Sequence, residues 1–247
     1  MRSRAGVLIG AALAIGAAGA TPTATAQDIP DVDISAKARA FPSKAGTRKN
    51  PRGLMIKAKA KLTTEPGFER PIVTGLELLM GPGLIWNTDD ASRCSKRVLD
   101  RKGPKGCPEH SIVGHAKATA FADTVVTRPD VVIINGGPKR HFAYVTLYHP
   151  TLVKETIVIK VKKLKRGKWT QRESLTVPES LRIVAGVPIQ FTGIDMTIGG
   201  KPYARKFTAS TFCPKGGWKY KATAHLLFGS LGETSKETIS GSIPCRR

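Results

Sequence analysis

Acidic side chains are scarce in this 247-residue chain: 18 Asp and Glu stand against 40 Lys and Arg, a formal net charge of +22. Glycosidase chemistry needs two carboxyl groups facing one cleft. Most of the acids here sit in turn-like sequence, among them Asp89, Asp90, Asp100, Asp123, Asp130, Glu179 and Glu233. Asp195 differs, because it lies inside an apolar, strand-like stretch. The plain reading makes it a surface residue or a partner for Lys or Arg; the sharper one makes it a catalytic acid. Aromatic residues are only 6% of the chain. Proteins that read single-stranded nucleic acid lay aromatics along one sheet face, so sequence-specific nucleic-acid recognition is not supported. G-x-S-x-G, H-E-x-x-H, the P-loop and the Rossmann glycine fingerprint are all missing. So is C-x-x-C, which removes a thioredoxin-like redox site. No internal repeat is evident, and helical periods are confined to two short segments, Ser92 to Asp100 and Glu179 to Val184.

Long apolar runs are equally rare. The exception is Val7 to Ala20, preceded by Arg2 and Arg4 and followed by Ala24-Thr25-Ala26. A charged start, a short apolar core and a small-x-small site predict a signal peptide over residues 1–26, cleaved before Gln27. The run is shorter than the roughly 20 residues a spanning helix needs; an uncleaved anchor is the alternative. No cysteine follows the run, so lipoprotein attachment is not expected. No later stretch is apolar for long enough to cross a bilayer as a helix, and the expectation is a secreted, extracellular or cell-wall-associated protein. Loss of Arg2 and Arg4 takes the formal net charge from +22 to +20. A balance of that sign attracts polyanions: an anionic polysaccharide, a wall polymer or an anionic membrane surface.

Residues 27–53 carry Lys and Arg, Pro42, Pro51 and Gly53 with little apolar content, and read as a flexible basic lead. From residue 54 onward the pattern becomes period two. In "LMIKAKAKL" Met55, Ala58 and Ala60 punctuate Lys57, Lys59 and Lys61; in "KETIVIKVKKL" Ile157, Ile159 and Val161 oppose Lys160 and Lys162. Alternation of this kind marks half-exposed strands. About eleven such segments are punctuated by Gly, Pro and Asn, which predicts an all-β antiparallel sandwich over residues 54–247. Two sub-lobes would meet near 165–170. In "VPIQFTGIDMTIGG" the register slips at Gly193, the mark of a bulge.

Four cysteines in an exported chain imply two disulfides with three possible connectivities. Gly103, Pro104 and Gly106 ease a return between Cys94 and Cys107, and two strands separate Cys213 from Cys245. Local pairing, 94 with 107 and 213 with 245, is favoured; crossed pairing stays open. Zinc on Cys94, Cys107, His110 and His115 is the competing idea. The histidine spacing fits structural zinc and the cysteine spacing does not, so no metal and no cofactor are expected. A hydrolase would require some of Asp195, His115, His141 and His225 to converge in one cleft. His141 and His149 also flank one strand and could approach His225.

The basic residues carry the stronger signal. Lys160, Lys162, Lys163, Lys165, Arg166 and Lys168 cluster about a turn at Gly167, with Trp169 beside them. A cationic hairpin tip with an aromatic can hold an anion and stack on a ring; the alternative is a solvated turn. Cys107-Pro108-Glu109-His110-Ser111-Ile112-Val113-Gly114 and Cys213-Pro214-Lys215-Gly216-Gly217-Trp218, with a closing Ile243-Pro244-Cys245, form two cysteine-led elements and a terminal one. Over roughly Leu54 to Cys245 this layout resembles uncharacterised exported proteins of soil actinobacteria. The resemblance implies an exported location and a shared β scaffold with two bridges; its motifs carry no known catalytic residues, and the function of those proteins is undetermined. From its charge and its lysine cluster the chain reads as a non-catalytic exported protein that binds anionic polymers through lysine-rich surfaces. An extracellular hydrolase and a self-assembling envelope module are the alternatives.

Overall fold

The computed structural model describes residues 29–247; the expected signal peptide, residues 1–26, lies outside them. Sixteen strands follow one another: β1 (Val32–Phe41), β2 (Arg52–Gly53), β3 (Met55–Thr64), β4 (Ile72–Met80), β5 (Leu84–Trp86), β6 (Ile112–Ala122), β7 (Val125–Thr127), β8 (Asp130–Asn135), β9 (Arg140–Leu147), β10 (Val153–Lys163), β11 (Gln171–Thr176), β12 (Ile183–Val184), β13 (Val187–Ile198), β14 (Thr208–Ser210), β15 (Trp218–Phe228) and β16 (Glu233–Ile243). Two short α-helices interrupt them: α1 (Lys96–Lys102), which overlaps the expected segment Ser92 to Asp100 and runs two residues past it, and α2 (Glu179–Arg182), which lies within Glu179 to Val184.

The main sheet is antiparallel and runs β1-β3-β13-β6-β8-β9-β10-β11-β4-β15-β16, with β7 and β12 added at its margin. It bends until its first and last strands, β1 and β16, face one another, and β13 approaches β4 across the interior. The two layers of the expected sandwich are thus halves of one nearly closed sheet. Residues 165–170 do not join sub-lobes; they are the turn between β10 and β11, which stay paired. Period two dictates the wall. Ala116, Ala118, Ala120 and Ala122 of β6 point inward and are buried, while His115 and Lys117 point out. The expected bulge is present, between Phe191 and Gly193.

The flexible lead is corrected. Residues 32–41 form β1, paired along its whole length with β3. Its inner positions are Val32, Ile34, Ala36, Ala38 and Ala40, so the strand buries mostly methyl groups and its sequence looks too polar for a sheet. On the far side of the seam the Tyr220 hydroxyl donates to the Ala36 carbonyl at 3.4 Å. The C-terminal residues add two backbone bonds, Ala45 N–H to Arg246 O at 2.8 Å and Arg246 N–H to Ser43 O at 2.9 Å.

A second sheet, β2-β14-β5, plugs one end of the barrel. Leu54, Leu84, Phe207 and Trp218 pack there against Ile56, Val113, Ile198 and Ile243 of the wall. The disulfides form as the local pairing expects: Cys94 to Cys107 with Cα atoms 5.4 Å apart, and Cys213 to Cys245 at 5.8 Å. The first closes the loop carrying α1, whose Leu99 covers Ile134 and Phe142 on the outer face of β8 and β9. Ser95 caps that helix by accepting from Val98 N–H, and Gly103 ends it with φ of 65°. The second bridge ties the C-terminus to the plug.

Candidate functional site

The strand order assigns every connection to one of two ends. At the plugged end lie residues 42–54, the α1 loop, the 136–139 and 164–170 turns, residues 199–217 and the C-terminus. These carry Lys44, Arg48, Lys49 and Arg52; Lys165, Arg166 and Lys168; Lys201, Arg205, Lys206 and Lys215; and Arg246 and Arg247. Several acids of that end are already engaged. Asp89 pairs with Arg93 at 2.7 Å, Asp100 with Lys96 at 2.8 Å, and Asp90 accepts from the Lys206 N–H. At the opposite end the connections 65–71, 123–129, 148–152, 177–186 and 229–232 contain no lysine. They hold Glu65, Glu69, Asp123 and Glu179 against Arg70, Arg128 and Arg182. The charge of the molecule is therefore polarised along the barrel.

The structure brings the predicted tip residues together at the plugged end. Lys160 and Lys162 stand on the outer face of β10, and Lys163, Lys165, Arg166 and Lys168 continue around the turn, all exposed. Trp169 is less available than its sequence position implies: it is half-buried, and its own neighbour Lys168 places Nζ 5.1 Å from the ring centroid.

A denser cationic surface lies on the outer face of β1, β3, β13 and β6. Lys37 is directly opposite Lys59, and Arg39 directly opposite Lys57. Lys61 and Lys117 extend the rows. Two acids share this face: Asp33, exposed near the start of β1, and Asp195, which pairs with Lys59 at 2.7 Å; the plain reading of Asp195 holds. Like charges directly opposite on neighbouring strands destabilise a sheet. Lysines on β1 alone would be explained as protection of an edge strand. That explanation does not reach the lysines of β3 and β6, which are interior strands. Half of this surface lay hidden in the segment that reads as a flexible lead; the alternation of Lys37 and Arg39 with Ala36, Ala38 and Ala40 was the signal that could have found it.

The residues weighed for catalysis do not converge. Asp195 and His115 face outward on β13 and β6, where His115 Nδ1 lies 2.9 Å from the Tyr203 hydroxyl. His141 is inside the barrel, 2% exposed. His225 is on β15, and His149 lies at the far end in the β9–β10 turn. The sulfurs of the zinc alternative are consumed in the disulfide, and among the described residues no group of three or more His, Cys, Asp or Glu is placed to hold a metal ion. Among the same residues no helix is long and apolar enough to cross a membrane.

Sequence reading missed one buried polar cluster beneath the plug. The Glu173 carboxylate accepts from Trp86 Nε1–H and from Gln171 Nε2–H, the latter at 2.9 Å. Trp86 stacks on Phe207 at 5.6 Å and meets His141 edge-on at 6.1 Å. Both ring nitrogens of His141 lack a partner. Removal from water holds the imidazole neutral, its pKa lowered to about 4, and the same cause raises the Glu173 carboxyl to about 7 against the two hydrogen bonds that lower it. The plug meets the barrel wall at this cluster. Asn135 fastens it further along, its side-chain amide donating to Thr88 O at 2.8 Å and Ala91 O at 2.9 Å.

No protein-family model matches the chain, and no curated protein is significantly similar to it.

Proposed function

We propose that this is a non-catalytic protein of the cell exterior or envelope that binds an anionic polymer through its cationic outer face and plugged end. One observation carries the reading: the like-charge pairs Lys37–Lys59 and Arg39–Lys57 on neighbouring strands, of whose four cations only Lys59 has a carboxylate partner among the described residues, Asp195. A fold that tolerates cross-strand repulsion gains from a polyanion laid over the rows, because each strand-to-strand step of about 4.8 Å sets cations at a spacing a charged chain can follow. Two disulfides and an N-terminal signal-like segment support export, as does the motif resemblance to exported proteins of soil actinobacteria. Self-assembly through a sheet edge is less well supported, since β1 and β16 face one another.

The test is retention on an anionic polysaccharide matrix across a salt series. Affinity falls steeply with salt, as it does for proteins that neutralise polyanions. Lys37→Gln combined with Lys61→Gln weakens binding by about tenfold, and Lys154→Gln near the other end leaves it unchanged. Salt-independent retention, or equal effects of the two substitutions, sinks the proposal.

A further inference from the structure

Where the cationic face meets the plugged end, the surface sinks into an open depression of about 660 Å³. Its apolar side presents Phe41, the last residue of β1 and 50% exposed, beside Pro51. Arg52, Lys201, Arg205 and Lys206 stand around it, and no carboxylate lines it. The acids of this end are confined to the loop around α1; Asp89 and Asp90 line the neighbouring depression, which shares Lys201 and Arg205, and Asp90 accepts from the Lys206 backbone N–H.

The walls are fixed in place by close backbone approaches. A Cβ on Gly53 would lie 2.3 Å from the Arg205 carbonyl oxygen, and one on Gly200, where φ is +69°, would lie 2.7 Å from Met55 Cβ. Only glycine allows β2 and the 199–206 segment to come this near each other and β3. The four cations are therefore carried on backbone that has little freedom to rearrange, and a site built that way loses less on binding than a mobile one. Phe41 is the one large aromatic among the lining residues; Lys57 Nζ stands over its ring 5.9 Å from the centroid, farther than Lys168 from Trp169, and half of the Phe41 surface stays exposed.

The geometry points to a subsite for an acidic polysaccharide: a carboxylate-bearing sugar ring would sit on Phe41 and Pro51, with its charge among Arg52, Lys201, Arg205 and Lys206. This rests on the polyanion reading above and assigns the ligand class. A sugar ring offers an apolar face to an aromatic and an anionic group beside it, which matches one apolar platform within a ring of cations. A phosphate chain has no ring for Phe41 to cover. A nucleic-acid strand needs a succession of aromatics for successive bases, and one ring does not supply it.

The experiment titrates the full chain with three probes of matched charge: an α-1,4-linked galacturonate oligomer, inorganic polyphosphate and a single-stranded oligodeoxythymidylate. The galacturonate oligomer binds tightest. Phe41→Ala weakens it by about tenfold and changes polyphosphate affinity less than twofold. Arg52→Gln weakens the galacturonate oligomer as well, and unchanged melting temperatures exclude misfolding of either variant. Lys37→Gln with Lys61→Gln lowers affinity for all three probes alike. If Phe41→Ala leaves galacturonate binding intact, or weakens all probes equally, the subsite is overturned. Tightest binding to polyphosphate or to the oligonucleotide also overturns it and leaves the polyanion reading standing. Failure of every probe to bind removes both.

Discussion

The pKa values of Glu173 and His141 are shifted in opposite directions within one small space, and their contributions to the pH dependence of the fold have opposite signs. The Glu173 carboxyl is raised from 4.5 to about 7, so the folded protein favours its protonated form. Its contribution is complete below pH 4.5 and is lost as pH rises through about 7. His141 is lowered from 6.5 to about 4, so the folded protein favours the neutral ring. That contribution is complete above pH 6.5 and is lost as pH falls toward 4. Between pH 4.5 and 6.5 the two slopes oppose one another and the wild-type melting temperature changes little on their account. Glu173→Gln keeps an acceptor for Trp86 and removes the charge. The variant melts about 5 °C higher at pH 8, from a gain of about 2 kcal/mol after discounting for the partial exposure of the residue. Between pH 6.5 and 4.5 it loses stability where the wild type does not. Calorimetry from pH 4.5 to 8 checks both halves, and an unchanged melting temperature at pH 8 would show that the carboxyl is solvated. Asp195 was legible as a partner for a base because a lone acid in a lysine-rich strand needs only its neighbour. The Glu173 cluster was not, because Trp86 and Glu173 are 87 residues apart and meet only when the plug is seated.

Strands and bridges show the same division between local and distant causes. The spacing of the cysteines, the hairpin at Gly167 and the bulge near Gly193 all follow from short stretches of sequence, and each is present. β1 escaped because its inner residues are mostly alanine: the three methyl groups of Ala36, Ala38 and Ala40 suffice inside a curved wall but carry a weak hydrophobic signal. The seam beside it depends on Gly241, where a Cβ would lie 2.5 Å from the Tyr220 hydroxyl. Gly241→Ala pushes Tyr220 off the Ala36 carbonyl and destabilises by about 1–3 kcal/mol, the usual cost of overpacking. Tyr220→Phe loses only a long hydrogen bond and costs under about 1 kcal/mol. Chemical denaturation that ranks these two variants the other way would contradict the seam geometry. Replacing Cys94 and Cys107 together by serine costs about 3 kcal/mol. The same change at Cys213 and Cys245 costs about 4 kcal/mol, because a longer loop is released.

Net charge is visible in composition, but its distribution over the molecule is not. The sign of each end emerges only from the strand order, which gathers residues 42–54, 164–170 and 199–217 at the plugged end although they are far apart in the chain. A uniformly basic protein would meet a polyanion in any orientation. This one has lysines and arginines crowded around the plug and on the β1–β3–β13–β6 face, and an opposite end whose connections contain no lysine; the proposed function therefore predicts binding in a preferred orientation. Hydrogen exchange with and without a galacturonate oligomer reads that orientation directly. Protection is expected in 42–54 and 199–217 and along the β1–β3 pair, with weaker protection at 164–170, where Lys168 already occupies the face of Trp169. The 65–71, 148–152 and 177–186 connections should exchange at unchanged rates. Raising the salt should erase the pattern over the range that weakens binding, since the contacts are made by exposed charges. Protection spread evenly over both ends would mean that the positive charge acts only as a diffuse field. The cross-strand repulsion between Arg39 and Lys57, which no carboxylate among the described residues offsets, would then have no ligand to relieve it.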